Sequence, residues 1–187
     1  MTDNMLSSML VAPPSLWAPP FHETVIIVAG HQKNGSVGFI LNRPTNISIT
    51  DLLETDNQYD PIHTNKPVLF GGPTEKNSGF VIYEHKRGKA LGPGFKINSN
   101  ISISPDRKIL EAAASGKLPG RFDLLLGYAS WHKGQLNREL SRGEWLHTPF
   151  CKELLFDIPH EDRWLRSYEQ LGISPFAFMR VKGGAQA

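Results

Sequence analysis

The sequence has only one cysteine among its 187 residues, and the lack of a second excludes an internal disulfide. Nothing therefore calls for an oxidising compartment. The sequence also lacks any run near the ~18 apolar residues that a membrane-spanning helix requires. Its N-terminal segment has no basic region, and prolines interrupt the apolar residues there. We therefore expect no targeting signal, no membrane association and a cytoplasmic location.

An excess of charge of one sign is missing as well. Twenty Lys and Arg residues face 18 Asp and Glu residues, which gives a net charge of +2. The best basic cluster, formed by Lys86, Arg87 and Lys89, is a short charged turn. Direct nucleic-acid binding needs a basic face, and this sequence does not predict one.

Recognisable catalytic and metal-binding motifs are also absent. His147 and Cys151 are the closest His/Cys pair, but Pro149 lies between them and no second pair has zinc-ligand spacing. No G-x-S-x-G elbow occurs, and the turn from Gly71 to Pro73 is not followed by the Lys-Ser/Thr of a P-loop. We therefore predict no metal, no cofactor and no assigned catalytic residue.

The composition is that of a globular protein rich in turns. Hydrophobic residues make up 40% and charged residues 20%, with 17 glycines and 14 prolines. These values predict one domain over residues 1–187 with many short elements. Residues 1–8 are predicted to be a loose tail and residues 174–187 a C-terminal extension.

Apolar and β-branched runs predict strands that come in hairpin-like pairs. Asn34-Gly35 predicts a hairpin turn, and the strands around Gly71 and Gly72 are expected to pair with each other. Residues 9–12 are a short apolar stretch, and strands are predicted at residues 24–29, 37–41, 68–70, 80–83, 97–103, 122–129 and 154–156. This pattern predicts an α+β fold with a mainly antiparallel sheet.

Capping and stop signals predict the helices between these strands. Ser48 and Asp51 resemble a capping box, and Ser104 with Pro105 resembles an N-cap followed by a first helical position, with Gly116 as the stop. Further helices are predicted at residues 135–142 and 159–172.

The densest unusual segment runs over residues 127–145. In a helix starting at Gln135, that residue and Glu139 lie at i and i+4 on one face. Two interpretations stay open. Trp131 and Trp145 anchor the short helix to the sheet, or Gln135 and Glu139 line a polar notch beside Trp131 and Tyr128.

Several separated motifs resemble the AlgH/YqgE family of bacteria. They include GFILNRP at residues 38–44, GGP at 71–73, GYASW at 127–131, GQL at 134–136 and DRW at 162–164. The resemblance extends from about Leu10 to Ile173. It implies an α+β domain whose sheet is curled toward a barrel, with a few short helices packed on it. The family is labelled a transcriptional regulator, and the resemblance implies no particular reaction.

Two hypotheses about function follow. The first is a non-enzymatic binding protein with a regulatory role, exerted indirectly through a small molecule or a protein partner. Its candidate binding notch comprises Asn42, Pro44, Gly71, Gly72, Tyr128, Trp131, Gln135 and Glu139. The alternative is an enzyme, such as a hydrolase, that uses the carboxylate of Glu139 with a histidine such as His132.

Overall fold

The computed structural model describes residues 7–53 and 64–180, with the backbone alone at 178–180. Most of the predicted N-terminal tail and residues 181–187 of the predicted extension lie outside the described residues. The strands are β1 (Met9–Val11), β2 (Val25–Gln32), β3 (Gly35–Ile40), β4 (Pro44–Ser48), β5 (Pro67–Phe70), β6 (Thr74–Glu84), β7 (Phe95–Lys96), β8 (Ile101–Ser104), β9 (Phe122–His132) and β10 (Leu146–Thr148).

These strands form one ten-stranded sheet in the order β10-β1-β2-β3-β9-β6-β8-β7, with β5 beside β9 and β4 beside β5. All the pairings are antiparallel except that of β5 with β9, which is parallel. Phe95 of β7 comes back over Gly30 of β2, where its ring would lie 3.4 Å from an added Cβ. No strand ladder joins β7 and β2 in the described residues, so the sheet curls toward a barrel without closing.

Alternation of side chains in β2 explains why almost every residue of that strand is apolar. Val25 and Ile27 point into the main core on one face of the sheet. Ile26 and Val28 point into a second core on the opposite face. The prediction of a strand buried on both faces is confirmed, and the sheet consequently carries packed layers on its two sides.

The hairpin predicted at Asn34-Gly35 joins β2 to β3, but its two turn residues are Lys33 and Asn34, because Gly35 already pairs with Gln32. The predicted pairing of the strands around Gly71 and Gly72 is wrong, because β9 lies between β5 and β6. Gly71 donates its N–H to the carbonyl of Leu126 at 2.7 Å, so the turn packs onto β9. The chain then continues as β6 on the other side of β9.

The helices are short and lie on the faces of the sheet. They are α1 (Ile49–Leu52), α2 (Arg107–Ala114), α3 (Gln135–Ser141), α4 (Lys152–Phe156), α5 (Arg163–Gln170) and α6 (Pro175–Arg180), with a 3-10 turn at His160–Asp162. The main core includes buried residues of α4 and α5. Trp164 and Tyr168 of α5 both donate to the carbonyl of Ala12, at 2.8 and 3.1 Å, which fixes this helix to the end of β1.

The predicted starts and stops of the helices hold in part. Ser48 and Asp51 form the predicted capping box of α1. The N-cap of α2 is Asp106 and not Ser104, because Ser104 is the buried last residue of β8 and donates to the carbonyl of Pro93. Gly116 and Gly143 follow α2 and α3 with positive φ, as expected of helix stops.

Two strand predictions are wrong. Residues 154–156 belong to α4, because a short apolar run does not by itself distinguish a strand from one helical turn. Residues 97–103 are not one half-exposed strand but a turn followed by β8, where Ser102 is buried and lies 2.9 Å from His85 Nε2. The helix predicted at residues 159–172 begins as the 3-10 turn and continues as α5, and α6 comes after it.

Candidate functional site

A hydrogen-bonded cluster joins the end of β9 to α3. Trp131 and Trp145 both donate their indole N–H to Oε2 of Glu139, at 2.7 and 2.9 Å. Both indoles are nearly buried, at 6% and 5% exposure, so the carboxylate satisfies two donors that would otherwise lack a partner. The Glu139 carboxylate thereby fixes α3 against the sheet.

Gln135 completes this cluster at the start of α3. Its Nε2 donates to Oε1 of Glu139 at 2.8 Å, and its Oε1 accepts the backbone N–H of His132 at 2.9 Å. The preceding residue, Gly134, takes a left-handed conformation with φ 71° and offers no side-chain cap. The Gln135 amide therefore links the last residue of β9 to the first turn of the helix.

A cavity of about 660 Å³ lies beside this cluster, between the β2–β3 hairpin and α3. A space of this size can hold a small metabolite. Its polar lining includes His31, Gln32, Lys33, Ser36, Lys133 and Asn137. The register of the sheet brings these together, because Ser36 pairs with His31 on one side and with Trp131 on the other.

The charge of this cavity is positive. Lys33 lies in the hairpin turn and Lys133 lies just before α3, and both residues are exposed. No Asp or Glu is among the described residues that line the cavity, and neither lysine forms an ion pair with another described residue. No described residue therefore neutralises the two ammonium groups, which attract an anionic ligand.

One pair of reactive side chains lies in the same cavity. His31 Nδ1 and Ser36 Oγ are 2.7 Å apart, within hydrogen-bond distance. Ser36 is buried and His31 is half-buried. This contact orients the imidazole toward the cavity wall, where its ring can take part in binding a ligand.

Gly71 and Gly72, both predicted for the notch, lie against the backbone of β9. A Cβ on Gly71 would come 2.3 Å from the carbonyl oxygen of Gly127, and one on Gly72 would come 2.1 Å from the carbonyl carbon of Tyr128. Gly72 also has a φ of 155°. Only glycine allows the two backbones to approach this closely.

Asn42 and Pro44 lie elsewhere, at a cavity of about 510 Å³ that also includes Arg43 and Trp164. The Asn42 amide bonds to backbone on both sides: Oδ1 accepts the N–H of Val25 at 2.9 Å, and Nδ2 donates to the carbonyl of Glu23 at 2.8 Å. With these contacts Asn42 holds the start of β2 to the segment after β3.

Tyr128 points to the opposite face of β9 from Trp131. Its ring packs at 5.9 Å from Phe80, next to the main core, whereas Trp131 belongs to the core under α3. Of the predicted notch, the structure thus joins Trp131, Gln135 and Glu139 by hydrogen bonds, and it places Asn42, Pro44 and Tyr128 at other cavities. Binding at any of these residues stays a prediction.

Comparison with known proteins identifies the family. Residues 9–176 match the family model described as AlgH-like. The chain belongs to the AlgH-like family. UPF0301 proteins of Burkholderia vietnamiensis and Paraburkholderia phytofirmans are each 34% identical to it over 174 residues, covering 91% of this chain and 90% of each relative.

Solved structures show the same fold. The solution structure of the AlgH protein from Pseudomonas aeruginosa is similar, with a TM-score of 0.76 and 29% identity, covering 100% of this chain and 97% of that chain. An X-ray crystal structure of a protein from Corynebacterium diphtheriae is similar as well, with a TM-score of 0.69 and 20% identity. The match covers 87% of this chain and 85% of that chain. The names of these AlgH-like and UPF0301 proteins assign no reaction.

Sequence reasoning missed the residues that line the 660 Å³ cavity of this AlgH-like protein. Lys33 and Lys133 lie a hundred residues apart, and only the antiparallel pairing of β3 with β9 brings their segments together. The available signal was local: a lysine in the hairpin turn, and a second lysine between a strand and a helix-starting glycine.

Two charged clusters lie outside these cavities. Burial works against ionisation of Glu84, but hydrogen bonds from Arg121 and Lys152 outweigh it and lower the Glu84 pKa to about 2. Arg163 is buried, donates to the carbonyls of Leu41 and Ile158, and lies 3.4 Å from Asp123. Burial lowers the pKa of Arg163, and the Asp123 charge opposes that shift. Both clusters tie the C-terminal helices to the sheet.

Neither a metal centre nor a membrane span is visible where the chain is described. In residues 7–53 and 64–180 no three His, Cys, Asp or Glu side chains gather into a group that could hold a metal ion. In the same residues no helix is long and apolar enough to cross a membrane. Lys86, Arg87 and Lys89 lie in or beside an exposed turn that follows β6.

Proposed function

We propose that this AlgH-like chain is a non-enzymatic binding protein, and that its ligand is a small anionic molecule held between the β2–β3 hairpin and α3. The single observation that carries the proposal is the pair of exposed lysines, Lys33 and Lys133, at a 660 Å³ cavity whose described lining residues include no carboxylate. A regulatory role would follow indirectly, because the bound ligand or a protein partner would carry the signal.

The chemistry of the lining supports an anionic ligand. The ammonium groups of the lysines donate hydrogen bonds and supply charge, and the amides of Gln32 and Asn137 add further donors. Leu136 gives the cavity an apolar wall. Phosphate or carboxylate groups on a small organic skeleton fit this combination.

The hydrogen bonds that the Glu139 carboxylate makes favour binding over catalysis. A general acid or base needs a free lone pair or proton within reach of the substrate. The Glu139 carboxylate accepts hydrogen bonds from Trp131, Trp145 and Gln135, and none from a histidine among the described residues. The geometry gives no support to a catalytic pair of Glu139 with His132.

A ligand in this cavity would make the hairpin turn and the start of α3, which surround it, more rigid. The hairpin turn and the start of α3 belong to different parts of the chain, and a bound anion would bridge Lys33 to Lys133. The bridge would stiffen both segments, which offers a partner protein a different surface in the bound state.

A thermal-shift series tests the proposal. Inorganic phosphate, pyrophosphate and citrate are compared with spermidine as a cationic control. An anion that binds should raise the Tm of the wild-type protein in a saturable way, since a ligand at 100 times its Kd adds ~2.7 kcal/mol to the free energy of unfolding. The doubly substituted K33A/K133A variant should lose the saturable shift.

The matched control is K108A/K117A, which removes two exposed lysines that do not line the cavity. This control separates site binding from the general stabilisation that phosphate gives any protein. An equal saturable shift in K33A/K133A and in the wild type, or no saturable shift with any anion, would refute the proposal.

One observation favours a second candidate function, a hydrolase. The contact of 2.7 Å between His31 and Ser36 has the geometry of a base beside a hydroxyl nucleophile. Assays of p-nitrophenyl esters and phosphates distinguish the two functions. A binding protein gives no turnover above background, whereas a hydrolase gives turnover that S36A abolishes.

A further inference from the structure

A third cavity, of about 500 Å³, lies on the face of the sheet opposite Trp131. Four aromatic side chains line it: Phe39 of β3, Phe80 of β6, Phe95 of β7 and Tyr128 of β9. The rings of Phe39 and Phe80 are buried, and those of Phe95 and Tyr128 are half-buried. The buried rings form the floor, and the half-buried rings form walls that solvent reaches.

These rings are packed at angles to one another. The centroids of Phe80 and Tyr128 are 5.9 Å apart with the ring planes at 85°, and those of Phe39 and Phe95 are 5.9 Å apart at 66°. Because adjacent rings are tilted, the four rings do not form one flat stack. Aromatic faces carry negative potential, so a site walled by several rings favours a positively charged group.

Glu75 contributes the one carboxylate among the described residues that line this cavity. Its Oε1 accepts the hydroxyl of Tyr128 at 3.1 Å, and its Oε2 accepts the hydroxyl of Ser78 at 3.2 Å. Glu75 forms no ion pair with a lysine or arginine of the described residues. No cation among the described residues therefore neutralises its negative charge.

An irregularity in β6 positions this carboxylate. The pairing of β6 with β9 shifts between Thr74 and Gly79, as at a β-bulge. Within that irregularity Glu75 has a φ of 46°, in the left-handed region that residues other than glycine rarely occupy. Bulges redirect side chains, and strained backbone concentrates at functional sites. The side chain that this irregularity redirects is that of Glu75, whose carboxylate contacts Tyr128.

We propose that this cavity binds a small organic cation, an ammonium ion with an alkyl or aryl group. The apolar group packs against the ring of Phe80, with Phe39 buried behind it, and the ammonium lies between Phe95, Tyr128 and the Glu75 carboxylate. The site is independent of the lysine-lined cavity, which takes ligands of opposite charge and faces the other side of the sheet.

The test compares three probes of one shape: 2-phenylethylammonium, 2-phenylethanol and phenylacetate. Each is titrated into the ¹⁵N-labelled protein while amide shifts are recorded. The ammonium should bind with the highest affinity, and its shifts should be largest around Val37, Glu75, Phe95 and Tyr128. The alcohol should bind at least 10-fold more weakly, and phenylacetate should not bind there.

Two variants identify the groups responsible. E75Q keeps the shape of residue 75 and one acceptor oxygen but removes the negative charge, and it should weaken binding of the ammonium at least 10-fold. F95L replaces a wall ring with an aliphatic side chain and should weaken it several-fold. The matched control is E169Q, which removes an exposed carboxylate on α5 and should leave the affinity unchanged.

The proposal is overturned if the alcohol binds as tightly as the ammonium, or if none of the probes binds the folded wild-type protein at millimolar concentration. It is also overturned if E75Q and F95L both fold, as judged by amide dispersion, and both bind the ammonium with wild-type affinity.

Discussion

Trp131, at the end of the central strand β9, donates its indole N–H to Glu139 in α3 across 2.7 Å. This contact joins a buried aromatic ring to a helix of seven residues, which is too short to be stable in isolation. The same carboxylate oxygen accepts the indole of Trp145 from the chain that follows the helix. Glu139 is thus the residue through which the helix and both tryptophans are held together.

Removing the Glu139 carboxylate should destabilise the fold. E139A leaves two nearly buried indole donors without an acceptor, and we expect a loss of about 3 kcal/mol in the free energy of unfolding. E139Q keeps one acceptor oxygen and should lose roughly half as much. Urea unfolding measures both, and tryptophan emission of the folded protein should shift to the red in E139A. The control E144A, at an exposed residue nearby, should change the free energy by less than about 0.5 kcal/mol. Equal effects of E139A and E144A would contradict the role of Glu139.

The close approach of Gly72 to β9 makes it intolerant of any side chain. G72A places a Cβ 2.1 Å from the carbonyl carbon of Tyr128 at a φ of 155°, so we expect a loss of more than ~3 kcal/mol or failure to fold. Gly79 offers a matched control, because a Cβ there meets no atom within 4 Å. G79A should unfold at the wild-type urea concentration within error. A soluble G72A protein with wild-type stability would contradict the close approach of Gly72 to β9.

The ion pairs of Glu84 should make stability depend on acid pH. Its folded pKa of about 2 lies below the ordinary value of 4.5, so the stabilisation is complete above pH ~4.5 and is lost as the pH falls toward 2. The full shift corresponds to roughly 3 kcal/mol, and solvent screening at the partly exposed Arg121 and Lys152 reduces the expected contribution to about 2 kcal/mol. E84Q should therefore be less stable at pH 7 and show a shallower decline below pH 4.5 in urea unfolding. E111Q is the control. If the free energy of unfolding of E84Q falls with pH in parallel with that of the wild type and of E111Q, this assignment is contradicted.

Local patterns predict most elements of this fold but not how they pair. β2 and β9 are long runs of apolar residues, and the capping box of α1 is complete in the sequence. The insertion of β9 between β5 and β6 depends on glycine contacts at Gly71 and Gly127, which are distant in sequence. Residues 154–156 are too few for an apolar run to distinguish a strand from a helical turn.

In the candidate site, too, the residues that are close in sequence could be predicted, and those joined by strand pairing could not. Trp131, Gln135 and Glu139 are close in sequence and have helical spacing, and the structure joins them. Tyr128 lies only three residues before Trp131, yet it faces the other side of the sheet because side chains alternate along β9. The segments that carry Lys33 and Lys133 come together only through long-range strand pairing, which no local pattern reveals.

Titration of pyrophosphate into the ¹⁵N-labelled protein measures directly whether the cavity beside α3 binds a small anion through Lys33 and Lys133. We predict saturable amide shifts concentrated at residues 31–36 and 133–137, their loss in K33A/K133A, and their retention in K108A/K117A. Shifts spread over other lysines, or a titration unchanged in K33A/K133A, would contradict the account.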